Sequence, residues 1–165
     1  MEKSNRNSEH PQLLLLTVPG LIMEVLNHTF SICFSRMSKT KVIHPDRDPA
    51  FATGAYSDGV VAGGFLFVSG QAAVDFKTSQ FVLGSIEDET HRTLQNIRTI
   101  IGLAGATMED VVKCTVHLAD IAEFDRYNEV YASYFPGIKP ARTTVQSVLA
   151  EGLKVEIDCI VKLPA

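Results

Sequence analysis

Between residues 155 and 162 apolar and polar side chains alternate strictly. Val155, Ile157, Cys159 and Val161 fall on one side, and Glu156, Asp158 and Ile160 on the other. A period of two marks a strand with one buried face. Residues 141–146 repeat the pattern less cleanly, with Arg142 and Thr144 sharing one face and Thr143 and Val145 the other. Residues 140–162 therefore read as two strands joined by a short loop through Glu151 and Gly152. Upstream, Val112, Cys114, Val116 and Leu118 alternate with Lys113, Thr115 and His117, predicting a strand over 108–118. Val60 and Val61, then Phe65 to Ser69, form two halves of a longer strand turned at Gly63-Gly64. Residues 41–45 make a short strand broken by Pro45, and 72–75 with 80–83 flank a hairpin-like connection.

Twice the period becomes helical. Leu94, Ile97, Ile101 and Ala104 recur at helical spacing behind Ser85, with Asp88 three residues on as a capping box and Gly105 as the stop. A second helix is predicted from Asp120, burying Ile121, Phe124, Tyr127 or Asn128, Tyr131, and Tyr134 or Phe135, and ending at Pro136-Gly137. This order argues for an α+β fold, one mixed sheet with both helices on a single face. The opposite face, which holds Phe65, Phe67 and Ile160 among polar residues, is apolar enough to recruit a partner.

The N-terminal part fits this scheme poorly. Residues 1–12 are polar and predicted to be disordered. The apolar run over 13–34 is broken by Pro19, Gly20, Glu24, Asn27 and His28, too often for a membrane span. It has neither a secretory cleavage site nor the arginines of a mitochondrial presequence. The expectation is an extension over 1–36 outside the core and a folded domain over 37–165 that starts at Met37.

With 165 residues, 45% of them hydrophobic and 21% charged, the chain suits one globular domain. The net charge of −4 arises after residue 36, because the first 36 residues carry three of each sign. No clustered positive surface is indicated, which argues against nucleic acid or acidic lipid as a partner. Three cysteines without close pairing point to a reducing compartment, and Cys114 and Cys159 sit on apolar strand faces as small buried hydrophobes. The five histidines are scattered, so no metal is expected. His117 is read as exposed or satisfied by a neighbour.

An arginine, a hydroxyl and a carboxylate on what read as adjacent strands, Arg142, Thr144 and Glu156, could grip a substrate carboxylate and orient a water. The same residues could equally form a plain cross-strand ion pair. The surrounding motifs add to this. Pro140-Ala141-Arg142-Thr143 followed by Val155-Glu156-Ile157 resembles the C-terminal signature of the Rid family, the YjgF-like reactive intermediate deaminases. Gly54-Ala55-Tyr56-Ser57, Ser69-Gly70-Gln71, Val112-Lys113 and Asn128 within Tyr127-Asn128-Glu129-Val130-Tyr131 precede it in family order, so the resemblance spans 37–163.

That resemblance implies a chorismate-mutase-like fold and a homotrimer whose sheets enclose a central barrel. Its pockets would lie between subunits, with Arg142 on one wall and Tyr56 or Asn128 on the other. It further implies a 2-iminobutanoate/2-iminopropanoate deaminase that hydrolyses reactive 2-imino acids to 2-keto acids and ammonia without a cofactor. Arg142 would bind the carboxylate and Glu156 the water; Thr144 and Tyr56 would complete the hydrogen bonding, and Asn128 and Ser69 would line the pocket. The cytoplasm is the expected compartment, with the mitochondrion as alternative. The chain departs from the family pattern at Ala55, where proline is common, and at Thr144, where many members carry cysteine. Other readings are an endoribonuclease or translation inhibitor, an activity ascribed to some relatives, and a non-catalytic small-acid sensor or chaperone.

Overall fold

The computed structural model describes residues 38–48 and 55–164, together with the backbone course of three short strands nearer the N-terminus. The expectations for residues 1–12, Cys33, Met37 and Gly54 lie outside the described residues. Contacts divide the chain into Met1–Met37 and Ser38–Ala165. In the first unit, β1 (Leu16–Val18), β2 (Leu21–Leu26) and β3 (Thr29–Ile32) pair antiparallel in sequence order. Of the breaks that argued against a membrane span, Pro19-Gly20 and Asn27-His28 fall between these strands and Glu24 lies within β2, an arrangement the sequence did not suggest.

The second unit is built on a six-stranded mixed sheet. Its strands are β4 (Thr40–Val42), β5 (Gly59–Ala62), β6 (Phe65–Gln71), β9 (Val111–Leu118), β10 (Ala141–Gln146) and β11 (Val155–Lys162), in the order β10-β9-β11-β6-β5-β4. Only β9 and β10 run parallel. They are joined across α2 (Phe124–Ser133), as a strand, helix and parallel strand must be. The β5–β6 hairpin turns through Gly63 and Gly64, whose φ of 59° and 76° suit glycine at both central positions. Between β6 and the first helix, β7 (Val74–Asp75) and β8 (Gln80–Phe81) form a small hairpin.

Helix α1 (Ile86–Leu103) begins at the expected capping box: Asp88 N–H donates to Ser85 Oγ at 3.1 Å, and Ser85 N–H reaches back to the Asp88 carboxylate. Gly105, with a φ of 75°, follows its C-terminus. The apolar stripe packs Leu94, Ile97, Ile100 and Ile101 onto Leu66, Val116, Val155, Ile157 and Val161, all at most 1% exposed. Tyr127, Tyr131 and Phe135 of α2 join the same core. The start of α2 differs from expectation. Asp120 caps a single 3-10 turn over Ile121–Glu123, the α-helix begins at Phe124, and Ile121 is exposed instead of buried. A lone turn ahead of the helix rotates Ile121 off the buried face.

Candidate active site

Strand alternation and register place every candidate side chain. Arg142 pairs with Cys114 of β9, and Cys114 pairs with Cys159 of β11. Both cysteines are buried in the core beneath the helices. Arg142 and Thr144 therefore belong to the helix-covered face, at its edge strand. There the half-buried guanidinium packs on α2, 4.6 Å from the ring centre of Tyr131, 5.5 Å from Phe124 and 5.6 Å from Tyr127. Such cation–π contacts stabilise by roughly 0.5–2 kcal/mol each. Arg142 Nη1 donates to Asn128 Oδ1 at 2.9 Å. Among the described residues no carboxylate lies within ion-pair distance of it. Asn128 thus stands beside Arg142, not across a pocket from it, which corrects that alternative.

The surroundings of Arg142 are polar but neutral. Burial pushes the Cys114 thiol up to about 11. Burial likewise raises the phenols of Tyr127 and Tyr131 well above their ordinary range, although the guanidinium acts the other way. The Thr144 hydroxyl is buried and, among the described residues, has no hydrogen-bond partner. A cation fixed by rings and an amide, with donors to spare, is arranged to accept an anion.

Glu156 occupies the other face. It pairs with His117 on β9, whose side chain points away from the helices, with Nδ1 2.8 Å from Ser147 Oγ. The half-buried Glu156 carboxylate has no hydrogen-bond or ion-pair partner among the described residues. It leans over Gly70: a Cβ at that position would overlap its Oε1 and sit 3.0 Å from its Cδ. The absence of a side chain at residue 70 makes room for it. Glu156, Gly70, Gln71, Tyr56, Arg47 and Phe76 line a cavity of about 180 Å3. Ser69 stands behind it; its hydroxyl donates to the Ser57 carbonyl at 2.6 Å and ties down the segment that carries Tyr56.

The expected cluster of Arg142, Thr144 and Glu156 on adjacent strands is therefore corrected. Strand β9 lies between β10 and β11, and the two functional groups take opposite faces of the sheet. They are two strand spacings apart, about 10 Å, and three residues apart along β9, about another 10 Å. No molecule the size of an amino acid can touch both within one chain. The candidate residues thus fall into two groups, Arg142 with Asn128 and Thr144 on the helix-covered face, and Glu156 with Tyr56 and Ser69 around the cavity.

Sequence reasoning missed three further groups. Arg47 forms an ion pair with Asp58, which is 2% exposed. Glu89, 0% exposed, accepts from Gly84 N–H at 3.1 Å and Lys154 N–H at 2.8 Å, latching α1 to the start of β11. Gln71 lines the cavity. Charged residues in a polar loop and on a helix read as solvated, and only Gln71 carried a local signal, its place in the Ser69-Gly70-Gln71 motif. Among the described residues no three His, Cys, Asp or Glu side chains converge on a metal position, and no helix is long and apolar enough to cross a membrane.

A family model described as endoribonuclease L-PSP matches residues 47–163. The chain is 41% identical over 126 residues to Reactive Intermediate Deaminase A, chloroplastic, of Arabidopsis thaliana, covering 76% of this chain and 67% of that protein. It is 41% identical over 121 residues to the 2-iminobutanoate/2-iminopropanoate deaminase of Rattus norvegicus, covering 73% of this chain and 88% of the relative. Its structure is similar to that of E. coli TdcF with bound serine, with a TM-score of 0.67, 32% identity, and coverage of 76% of this chain and all of that one.

Proposed function

The chain belongs to the endoribonuclease L-PSP family, to which the YjgF-like Rid proteins belong, and from that membership we propose that it hydrolyses short 2-imino acids. The products are the 2-keto acid and ammonia. The observation that carries the reading is the unpaired state of both groups. Among the described residues of one chain, Arg142 has no carboxylate partner and Glu156 no hydrogen-bond donor, although each is half-buried. A cross-strand ion pair within one chain is excluded, because the two side chains take opposite faces with β9 between them. The serine bound by TdcF and the imino acids named for the rat relative share one feature, a carboxylate beside a nitrogen-bearing carbon.

The proposed assembly is a homotrimer in which the Arg142 group of one copy meets the Glu156 group of the next. The partly apolar open sheet face, with Phe67 at 45% exposure and Val145 at 39%, supplies a surface for that association. In such a site Arg142 grips the substrate carboxylate through two parallel hydrogen bonds, and Asn128 holds the guanidinium in plane. Glu156 takes a proton from water as the water oxygen bonds to the C=N carbon, and passes that proton to the imine nitrogen. The resulting carbinolamine loses ammonia as the carbonyl forms. In this reading Tyr56 and Thr144 supply the hydroxyls that hydrogen-bond the reacting groups. Imines hydrolyse unaided in water, so holding substrate and water together supplies much of the modest barrier reduction.

The test is ammonia and keto-acid release from an imine generated in the cuvette by an amino-acid dehydratase. Wild type should accelerate release, and Arg142→Ala and Glu156→Gln should not. Wild-type release at the uncatalysed rate with every imine tried would overturn the proposal.

A further inference from the structure

Tyr56 is 52% exposed, and the residue before it, Ala55, lacks the fixed φ that a proline would impose. A mobile phenol would face Glu156 in only a fraction of its conformers, and ordering it at each turnover would cost entropy. The structure supplies a restraint. Arg47 forks onto Asp58, with Nε donating to Oδ2 at 2.9 Å and Nη2 to Oδ1. Asp58 is itself held by the His44 N–H at 2.7 Å. The guanidinium also lies 4.6 Å from the ring centre of Phe76, which stacks on His44 at 4.0 Å.

Arg47 is thus fixed by a buried carboxylate and an aromatic face. From there Nη2 reaches the Tyr56 hydroxyl at 3.4 Å, and the guanidinium carbon lies 5.6 Å from the Tyr56 ring centre. Arg47 and Tyr56 line the same cavity as Glu156.

We propose that Arg47, clamped on Asp58, is a positioning residue that holds the Tyr56 hydroxyl at the Glu156 cavity before substrate arrives. The proposal rests on the imine-hydrolase reading and deepens it. The gain is preorganisation: the ring is already in place when water attacks, so the cost of ordering it falls outside the chemical step. An ion pair that merely closed its loop would change stability and leave the chemical step alone.

The obvious variant, Arg47→Gln, would leave Asp58 charged and buried and could unfold the chain. The informative variant is therefore the neutral pair Arg47→Gln/Asp58→Asn, made with and without Tyr56→Phe. In the imine assay the neutral pair should lower kcat roughly tenfold with KM within about twofold. Added to Tyr56→Phe it should lower kcat no further, because both changes remove one interaction. Arg47→Lys keeps Asp58 paired but cannot fork, and should shift kcat in the same direction if the neutral pair melts below the assay temperature. Unchanged kcat in the neutral pair or, should that not fold, in Arg47→Lys would overturn the proposal. So would losses that multiply in full with Tyr56→Phe.

A second readout does not depend on turnover. The chain has four tyrosines, so ring-labelled tyrosine gives four sets of signals, and Tyr56→Phe identifies one of them. In the neutral pair that signal should move away from its wild-type position. If it stays, the tether is wrong. If it moves but wild type hydrolyses no imine, the tether stands and the hydrolase reading falls.

Discussion

Arg142 and Glu156 point to opposite faces of one sheet, in register with Cys114 and His117 of the strand between them. In the proposed reading, the two groups of one site therefore come from different copies. Mixing inactive Arg142→Ala and Glu156→Gln chains, denatured and refolded together, should restore activity. In a cyclic trimer with each site shared by two copies, about a quarter of the sites regain both groups. Recovery to that level in the ammonia assay is the expected result, and activity no higher than either parent would place the site within one chain.

The planar fork of Arg142 is held by Asn128 and the α2 rings, a fit that an ammonium cannot reproduce. Arg142→Lys should lower kcat/KM about a hundredfold, a loss of about 2.7 kcal/mol. Asn128→Ala, which leaves the cation but loosens it, should cost roughly tenfold. Full activity in Arg142→Lys would remove the clamp role. Steady-state kinetics with a saturable imine supply gives both values.

Gly70 separates folding from function. An added Cβ would collide with the end of the Glu156 side chain, which can swing aside, and not with backbone. Gly70→Ala should therefore fold with a melting temperature close to wild type. It should still lose tenfold or more in kcat, because the carboxylate is displaced from its cavity. Melting and turnover measured on one preparation test the pairing of these outcomes.

Glu89 does the reverse. Its carboxylate satisfies the Gly84 and Lys154 amides inside the protein. Glu89→Ala leaves both amides without their acceptor and opens a cavity, which should destabilise the fold by about 3 kcal/mol in urea melts. Activity per folded molecule should be nearly unchanged.

The Cys114 thiol makes stability fall in alkali. Its ordinary value of 9.0 applies to the unfolded chain, whereas burial raises it to about 11 in the fold. Between those values the folded state binds more protons, so stability is full below pH 9 and declines as pH rises towards 11. The loss over that window is on the order of 2 kcal/mol. Cys114→Ala should make that part of the pH profile of urea stability shallower, the buried Cys159 thiol, also raised, contributing the rest, and the native Cys114 thiol should resist alkylation at neutral pH.

The determinations that rest on neighbours a few residues away were legible in the sequence. The period of two put Arg142 with Thr144 and set Glu156 apart from Val155 and Ile157, because strand geometry alone fixes that alternation. The Ser85–Asp88 box and the α1 stripe are equally local. Which strands become neighbours was not local. Because β9 and β10 form a parallel pair around α2, β11 is left the other side of β9, and that pairing alone sends Arg142 under the helices and Glu156 to the open face. The Arg47–Asp58 pair and the Glu89 latch likewise join residues 11 and 65 positions apart. A charge in a polar stretch looks solvated until the chain closes over it, so only the tertiary structure decided which charges are buried and which are paired.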